Sequence, residues 1–266
     1  MSVDFPKKDK YSMDDFLKIV KILRSPGGCP WDREQTHDSI RNNFIEETYE
    51  AVEAIDAKNK DDLKEELGDV LLQIALHAEM EDEIGSFSFD DIVDGICKKL
   101  IIRHPHVFAD VEASDAKQAL QNWDAIKRAT KKTENQADLL RHLPKSLPTL
   151  YRACKVQERA KRVGFDWDDV SGAWNALESE VEELKAATQK QDQNSIDEEL
   201  GDVLFSVVNV SRFLQVDPDK ALSDSTEKFV RRFAAVEQLA RERGINMIES
   251  SIEELDELWK EVKKHE

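Results

Sequence analysis

Glu65-Glu66-Leu67-Gly68-Asp69-Val70-Leu71 returns unchanged as Glu198-Glu199-Leu200-Gly201-Asp202-Val203-Leu204. Upstream of each copy lies a second acidic pair, Glu47 and Glu50 in the first half and Glu180 and Glu183 in the second. Adding 133 to the first set (Glu47, Glu50, Glu66, Asp69) gives the second (Glu180, Glu183, Glu199, Asp202) with no gap. Seven identical residues are within reach of chance in a chain this acidic, but four carboxylates kept in register are not. The chain is a duplication, and it duplicates acids at helical spacing.

Around these segments the composition is that of a helical protein. Of 266 residues, 35% are charged and only 9 are glycine and 7 proline, while valine and isoleucine do not alternate as in strands. The length suffices for two domains, each with its own core. A formal charge of −18 argues against nucleic acid and anionic membranes as partners. No segment approaches the ~20 apolar residues of a membrane span, and Met1–Lys8 holds no apolar signal core. Cys29, Cys97 and Cys154 show no metal-binding or disulfide spacing, so a reducing, cytoplasmic setting is expected.

Periodicity and stop signals predict helices over 12–24, 38–58, 60–84, 89–103 and 114–131, with 29–32 irregular and Pro105 ending the fourth. The second half repeats the plan over 150–162, 170–190, 195–214, 218–243 and 252–263. Pro30-Trp31-Asp32 has an echo in Asp166-Trp167-Asp168, and Trp123-x-x-Ile-Lys in Trp259-x-x-Val-Lys. The expectation is an all-α chain of two tandem four-helix-type domains, residues 1–130 and 149–266, joined by a linker over 131–148.

A single Glu-x-x-Glu on a helix is most often a solvated face. Here Glu66 and Asp69 sit among Leu67, Val70, Leu71 and Leu72, so an acid belongs at the core margin, where an unpartnered charge is costly. A short loop joins each pair of acid-bearing helices, which brings four carboxylates towards one point, and only a cation relieves their repulsion. Oxygen donors without histidine or thiolate suit Mg2+, with Mn2+ also acceptable. Gly68, which weakens its helix, implies close approach of a neighbouring helix. A di-iron carboxylate bundle needs Glu-x-x-His from two helices, whereas Glu34–His37 stands alone here.

Lys99 and Arg103 recur as Lys228 and Arg232 on a later helix. Such a pair is by itself an ordinary solvated face; beside metal-binding acids it offers a point charge and a guanidinium fork for phosphate oxygens. No Gly-x-x-x-x-Gly-Lys loop or dinucleotide glycine signature is present, so phosphates are not held by a backbone nest. The combination describes a metal–polyphosphate site.

Several motifs then identify a resemblance covering nearly the whole chain: Gly27-Gly28-Cys29-Pro30-Trp31-Asp32, Glu46-Glu47-Thr48-Tyr49-Glu50, Glu65-Glu66-Leu67-Gly68-Asp69, Arg103–Phe108, Val163–Trp167 and Glu227–Phe233. The chain resembles the two-repeat MazG family of the all-α nucleoside triphosphate pyrophosphatases. That resemblance implies Mg2+-dependent hydrolysis of NTPs and dNTPs to monophosphate and pyrophosphate, in house-cleaning or nucleotide-pool control, by a homodimer. It places metal ligands on both acid sets, phosphate binding on Lys228 and Arg232, and base stacking on Trp259; Glu198 joins these substrate-binding groups. Trp259 read from its helix alone is equally a core anchor.

The chemistry expected is in-line attack of a metal-activated water on the α-phosphorus, with Glu180, Glu183, Glu199 and Asp202 as the catalytic set. The family's doubled glutamate is present as Glu46-Glu47 but becomes Ser179-Glu180 in the second repeat, which leaves Glu182 or a metal-bound hydroxide for the role of Glu46. The resemblance and the uninterrupted basic helix nevertheless point to the second repeat as the working one. A non-catalytic helical adaptor is the rival class, and retention of every acid in both halves speaks against it.

Overall fold

The computed structural model describes residues 5–109 and 136–265, with 111, 113–116, 118–119, 122–123 and 126 between them. The chain divides into two compact units, Met1–Lys131 and Lys132–Glu266. The first contains α1 (Met13–Arg24), α2 (Pro30–Glu34), α3 (Arg41–Asp56), α4 (Lys60–Glu83), α5 (Phe89–Arg103) and α6 (Pro105–Phe108). The second contains α7 (Gln136–Arg141), α8 (Thr149–Lys161), α9 (Val170–Lys190), α10 (Gln193–Phe213), α11 (Pro218–Glu242) and α12 (Ile252–Lys264). No strand occurs among the described residues, and the chain is all-α as expected.

Local chemistry sets the helix ends. Ser12 accepts from the Asp15 amide while the Asp15 side chain accepts from the Ser12 amide, a reciprocal cap repeated by Ser88 with Asp91 and by Ser251 with Glu254. The acid-bearing helices meet through tight turns of the same construction. Lys58 and Gln191, which are 133 residues apart, both take left-handed backbone with φ 55°, and the next residue (Asn59, Asp192) caps the following helix. These turns hold α3 against α4 and α9 against α10 as antiparallel neighbours.

The first core joins Val20, Ile40, Ala75, Leu76 and Met80, with Phe16, Leu17, Leu72 and Phe89 packed on it. In the second unit Val236, Ala240 and Leu258 are buried between α11 and α12. A half-buried ion pair fixes the Asp166-Trp167-Asp168 loop to α10: Arg212 donates to Asp166 Oδ1 at 2.5 Å and to Oδ2 at 3.0 Å.

Two expectations change, and one holds with an addition. The 29–32 stretch is not irregular, because Pro30 sits at the first turn of α2, where its missing N–H costs nothing. Pro105 does end α5, and for the same reason it opens α6. Within 131–148, Gln136–Arg141 is helical and packs against α8, and Leu143 is buried. Most of the helix expected over 114–131 lies outside the described residues.

Gly28 shows why the Pro-Gly-Gly turn carries two glycines. Its amide donates to Ser25 O and that of Cys29 to Leu23 O, both at 2.8 Å. A Cβ on Gly28 would run into the carbonyls of Ile22 and Leu23, whereas one on Gly27 meets nothing within 4 Å. Backbone cannot step aside as a flexible side chain can. Gly28→Ala should therefore destabilise by about 1–3 kcal/mol, and Gly27→Ala by no more than about 0.5 kcal/mol. Thermal denaturation of the two variants checks this, and equal losses would contradict it.

Candidate metal and phosphate site

Each unit brings three of its four expected acids together. One carboxylate oxygen from each of Glu47, Glu66 and Asp69 lies within 4.8 Å of the other two, and Glu180, Glu199 and Asp202 do the same. In the first unit all three are half-buried; in the second Asp202 is exposed. The register follows from the fold, since Glu66 and Asp69 occupy one face of α4 opposite Glu47 of α3, and the second unit copies this with α10 and α9.

Electrostatics record the crowding. Glu47 is pushed above the usual glutamate range by burial and then by Asp69 and Glu50, and Glu66 by burial and then by Glu50 and Asp69. Glu180 and Glu199 are raised in the same direction, by burial and then by their acidic neighbours, Glu183 first. Glu50 and Glu183 thus stand near the clusters, outside the groups of three. In the second unit Ser179 Oγ donates to Glu183 Oε1 at 3.1 Å, so the residue replacing Glu46 steadies an acid. Carboxylates that resist ionising together form a donor set a divalent cation fits: hard oxygens, close spacing and excess negative charge.

The basic residues lie on the next helices, α5 packing on α4 and α11 on α10. Lys99, Lys228 and Glu198 are exposed. The two arginines share an arrangement that the Trp-x-x-Ile-Lys and Trp-x-x-Val-Lys echo foreshadows. The Arg103 guanidinium carbon lies 5.3 Å from the Trp123 ring centroid, and that of Arg232 lies 5.9 Å from Trp259. Trp259 also packs on the Val236–Ala240–Leu258 core, with its ring 5.1 Å from that of Phe229.

Gly68 does not serve close helix approach. A Cβ there, or on Gly201, would meet nothing within 4 Å. Both glycines are exposed, so what they leave beside the acids is open backbone rather than helix contact. A residue overlooked in the sequence is Gln73, one turn beyond Asp69 on α4. It is 6% exposed and its Oε1 is buried without a hydrogen-bond partner among the described residues. The equivalent Ser206 is also buried. The signal was the i+4 step from the acid, hidden because glutamine carries no charge to count.

The description "MazG nucleotide pyrophosphohydrolase domain" matches twice, at residues 35–108 and 155–236. The Thermotoga maritima nucleoside triphosphate pyrophosphohydrolase/pyrophosphatase MazG is 46% identical over 250 residues, 94% of this chain and 95% of that protein. The nucleoside triphosphate pyrophosphohydrolase of Escherichia coli (strain K12) is 41% identical over 257 residues, 96% of this chain and 98% of its own length. YabN of Bacillus subtilis (strain 168) is 44% identical over 257 residues, 96% of this chain and 52% of that protein. Two matched domains and near full-length similarity agree with the duplicated acid clusters: the chain belongs to the MazG nucleotide pyrophosphohydrolase family.

Proposed function

We propose that this protein hydrolyses nucleoside triphosphates and their deoxy counterparts to the monophosphate and pyrophosphate, with Mg2+ as its divalent ion and Mn2+ as an acceptable substitute. The observation that carries this reading is the pair of three-carboxylate clusters, each beside a helix bearing a Lys-x-x-x-Arg pair, in a chain of this family. Residues 1–130 and 149–266 are the two repeats, joined over 131–148. Glu180, Glu199 and Asp202 hold the cation in the second repeat, with Glu183 as a fourth ligand steadied by Ser179; Glu47, Glu66, Asp69 and Glu50 are their counterparts. When bound, the divalent ion offsets phosphate charge and makes water a stronger nucleophile.

Lys228 and Arg232 take the departing phosphates, the arginine through two donors at once. Trp259 offers its ring to the base, a contact that tolerates any base, and Glu198 lies beside the substrate. A homodimer agrees with the apolar Val93, Ile96 and Leu100 exposed on α5 and Leu222, Phe229 and Phe233 exposed on α11. No described helix is long and apolar enough to cross a membrane. A cytoplasmic setting suits a nucleotide-pool enzyme with three unpaired cysteines.

Product identity tests the reading directly. With ATP and Mg2+, ion chromatography should find AMP and pyrophosphate as first products; ADP with orthophosphate would overturn it. The two repeats should contribute unequally. Glu199→Gln is expected to remove most turnover and Glu66→Gln to leave most of it, at saturating Mg2+ and with melting temperatures compared. The reverse result would move the working site to the repeat that keeps Glu46-Glu47.

The raised carboxylates also give a pH-dependent prediction. A glutamate whose folded pKa lies above its unfolded one holds extra protons in the folded state. Without metal it therefore erodes stability as pH rises through that window. A bound cation needs the ionised form and reverses the penalty. Mg2+ at about a hundredfold excess over its Kd should raise the melting temperature by roughly 5 °C near neutrality. The increment should shrink as pH falls through the raised glutamate range. A pH-independent increment would remove the clusters as the binding site.

A further inference from the structure

Beyond the first acid cluster, between α3 and α4, lies a cavity of about 440 Å3 lined by His37, Arg41, Phe44, Ile74, His77 and Phe87 among others. It continues the acid-bearing interface. Phe44 is one turn before Glu47 on α3, and His77 is eight residues past Asp69, about 12 Å along α4. The ring centroids of Phe44 and His77 are 5.7 Å apart. The walls are apolar and aromatic apart from a few polar groups, the usual character of a small-molecule pocket.

Those polar groups form a chain with a direction. His37 Nε2 lies 2.7 Å from Glu81 Oε1, and His37 Nδ1 lies 2.6 Å from His77 Nδ1, with the two rings stacked 3° from parallel. Hydrogen bonds from Ser86 and then His37 hold Glu81 below the usual carboxylate range, so it accepts and His37 Nε2 donates. In the tautomer whose Nε2 donates to Glu81, His37 Nδ1 offers a lone pair and accepts from His77 Nδ1–H. Burial and then the neighbouring His37 lower His77 below its ordinary value, which favours the neutral ring. His77 Nε2 is then an acceptor, and no hydrogen bond to it exists among the described residues.

We propose that this cavity is a base-reading subsite of the first acid cluster, with His77 Nε2 selecting nucleotides whose base presents an exocyclic amino group. The assignment rests on that cluster taking a nucleoside triphosphate. Cytosine and uracil separate the effect from size, since they differ at position 4 in offering a donor or an acceptor. The second unit is built otherwise. The 133-residue repeat carries Arg41, Phe44, His77 and Glu81 onto Trp174, Leu177, Val210 and Leu214, which leaves no acid–histidine chain. The duplicated sites therefore differ in what they admit: the first discriminates among bases and the second does not.

The test uses the full chain carrying Glu199→Gln and Arg232→Ala, so that the second repeat binds weakly. Equilibrium dialysis with Mg2+ compares the non-hydrolysable α,β-methylene analogues of CTP and UTP. The cytidine analogue should bind about tenfold tighter, because a site built to accept one hydrogen bond rejects the partner that cannot give it. Adding His77→Phe, which keeps a ring, should bring the ratio below about threefold. Long-range 1H–15N spectra of the chain without His77→Phe give a readout independent of that variant's folding. His77 should carry its proton on Nδ1, and Nε2 should shift with the cytidine analogue but not the uridine one. Equal binding of the two analogues, binding of neither, a ratio unchanged by His77→Phe, or a His77 proton on Nε2 overturns the proposal. Absence of pyrophosphate release by the unsubstituted chain would instead remove the pyrophosphohydrolase reading.

Discussion

Repulsion among carboxylates is the constraint on which both units depend. Three acids whose oxygens lie within 4.8 Å of one another cannot all ionise cheaply in a half-buried setting, and the raised Glu47, Glu66, Glu180 and Glu199 register that cost. The fold tolerates it because the acids occupy the antiparallel interfaces of α3 with α4 and α9 with α10. Left-handed Lys58 and Gln191 set those interfaces, and the capping Asn59 and Asp192 make their turns short. The cost is thus electrostatic at the acids, while the left-handed turns that set the interfaces are held by the caps that follow them. A cation relieves the first without asking the second to move.

Much of this was legible in the sequence because helical periodicity turns spacing into direction. Three-residue separations placed Glu66 with Asp69, a short loop placed them opposite Glu47, and a 133-residue shift did the same work twice. The helix ends were legible wherever a side chain caps them, as at Ser12 and Ser88. What could not be read were contacts that depend on the third dimension. Gly68 suggests helix packing because a glycine inside a helix asks for a reason, and sequence does not tell a crowded face from an open one. The fold of 136–143 against α8 escaped for a related reason: two prolines and many polar residues signal a break but say nothing of Leu143 finding a core. His77 was invisible as a site residue because its partner, His37, precedes it by 40 positions.

Duplication also explains how two sites can keep one framework and differ in use. The acids are tied to the helix interface, so changing one leaves the rest mispaired. The residues one or two turns away lie outside the clusters and make contacts of their own, as His77 does with His37 and Phe44. Gln73 against Ser206 and His77 against Val210 are therefore positions where the repeats were free to part. Ser179 is intermediate. It replaces a carboxylate with a donor, and its bond to Glu183 makes up in position what it gives up in charge.

Trp259 illustrates how an anchoring role and the proposed base-stacking role can coincide on one side chain. Its helix begins at the Ser251–Glu254 cap, buries Leu258 and sets the indole against Phe229 on one side, with the Arg232 guanidinium over the ring. The ring thus carries core packing to Arg232, the arginine proposed to bind phosphate, and the Arg103–Trp123 pair shows the same arrangement in the first unit. A guanidinium resting on an aromatic face loses little freedom when it engages a phosphate, because its plane is already set. A base that stacks on Trp259 must share that face with Arg232 or displace Phe229. On this geometry, the proposed base and phosphate contacts would be coupled through one side chain. Substitutions at Trp259 would then act on Arg232 as well as on a stacked base, and a change of ring size there would not report on stacking alone.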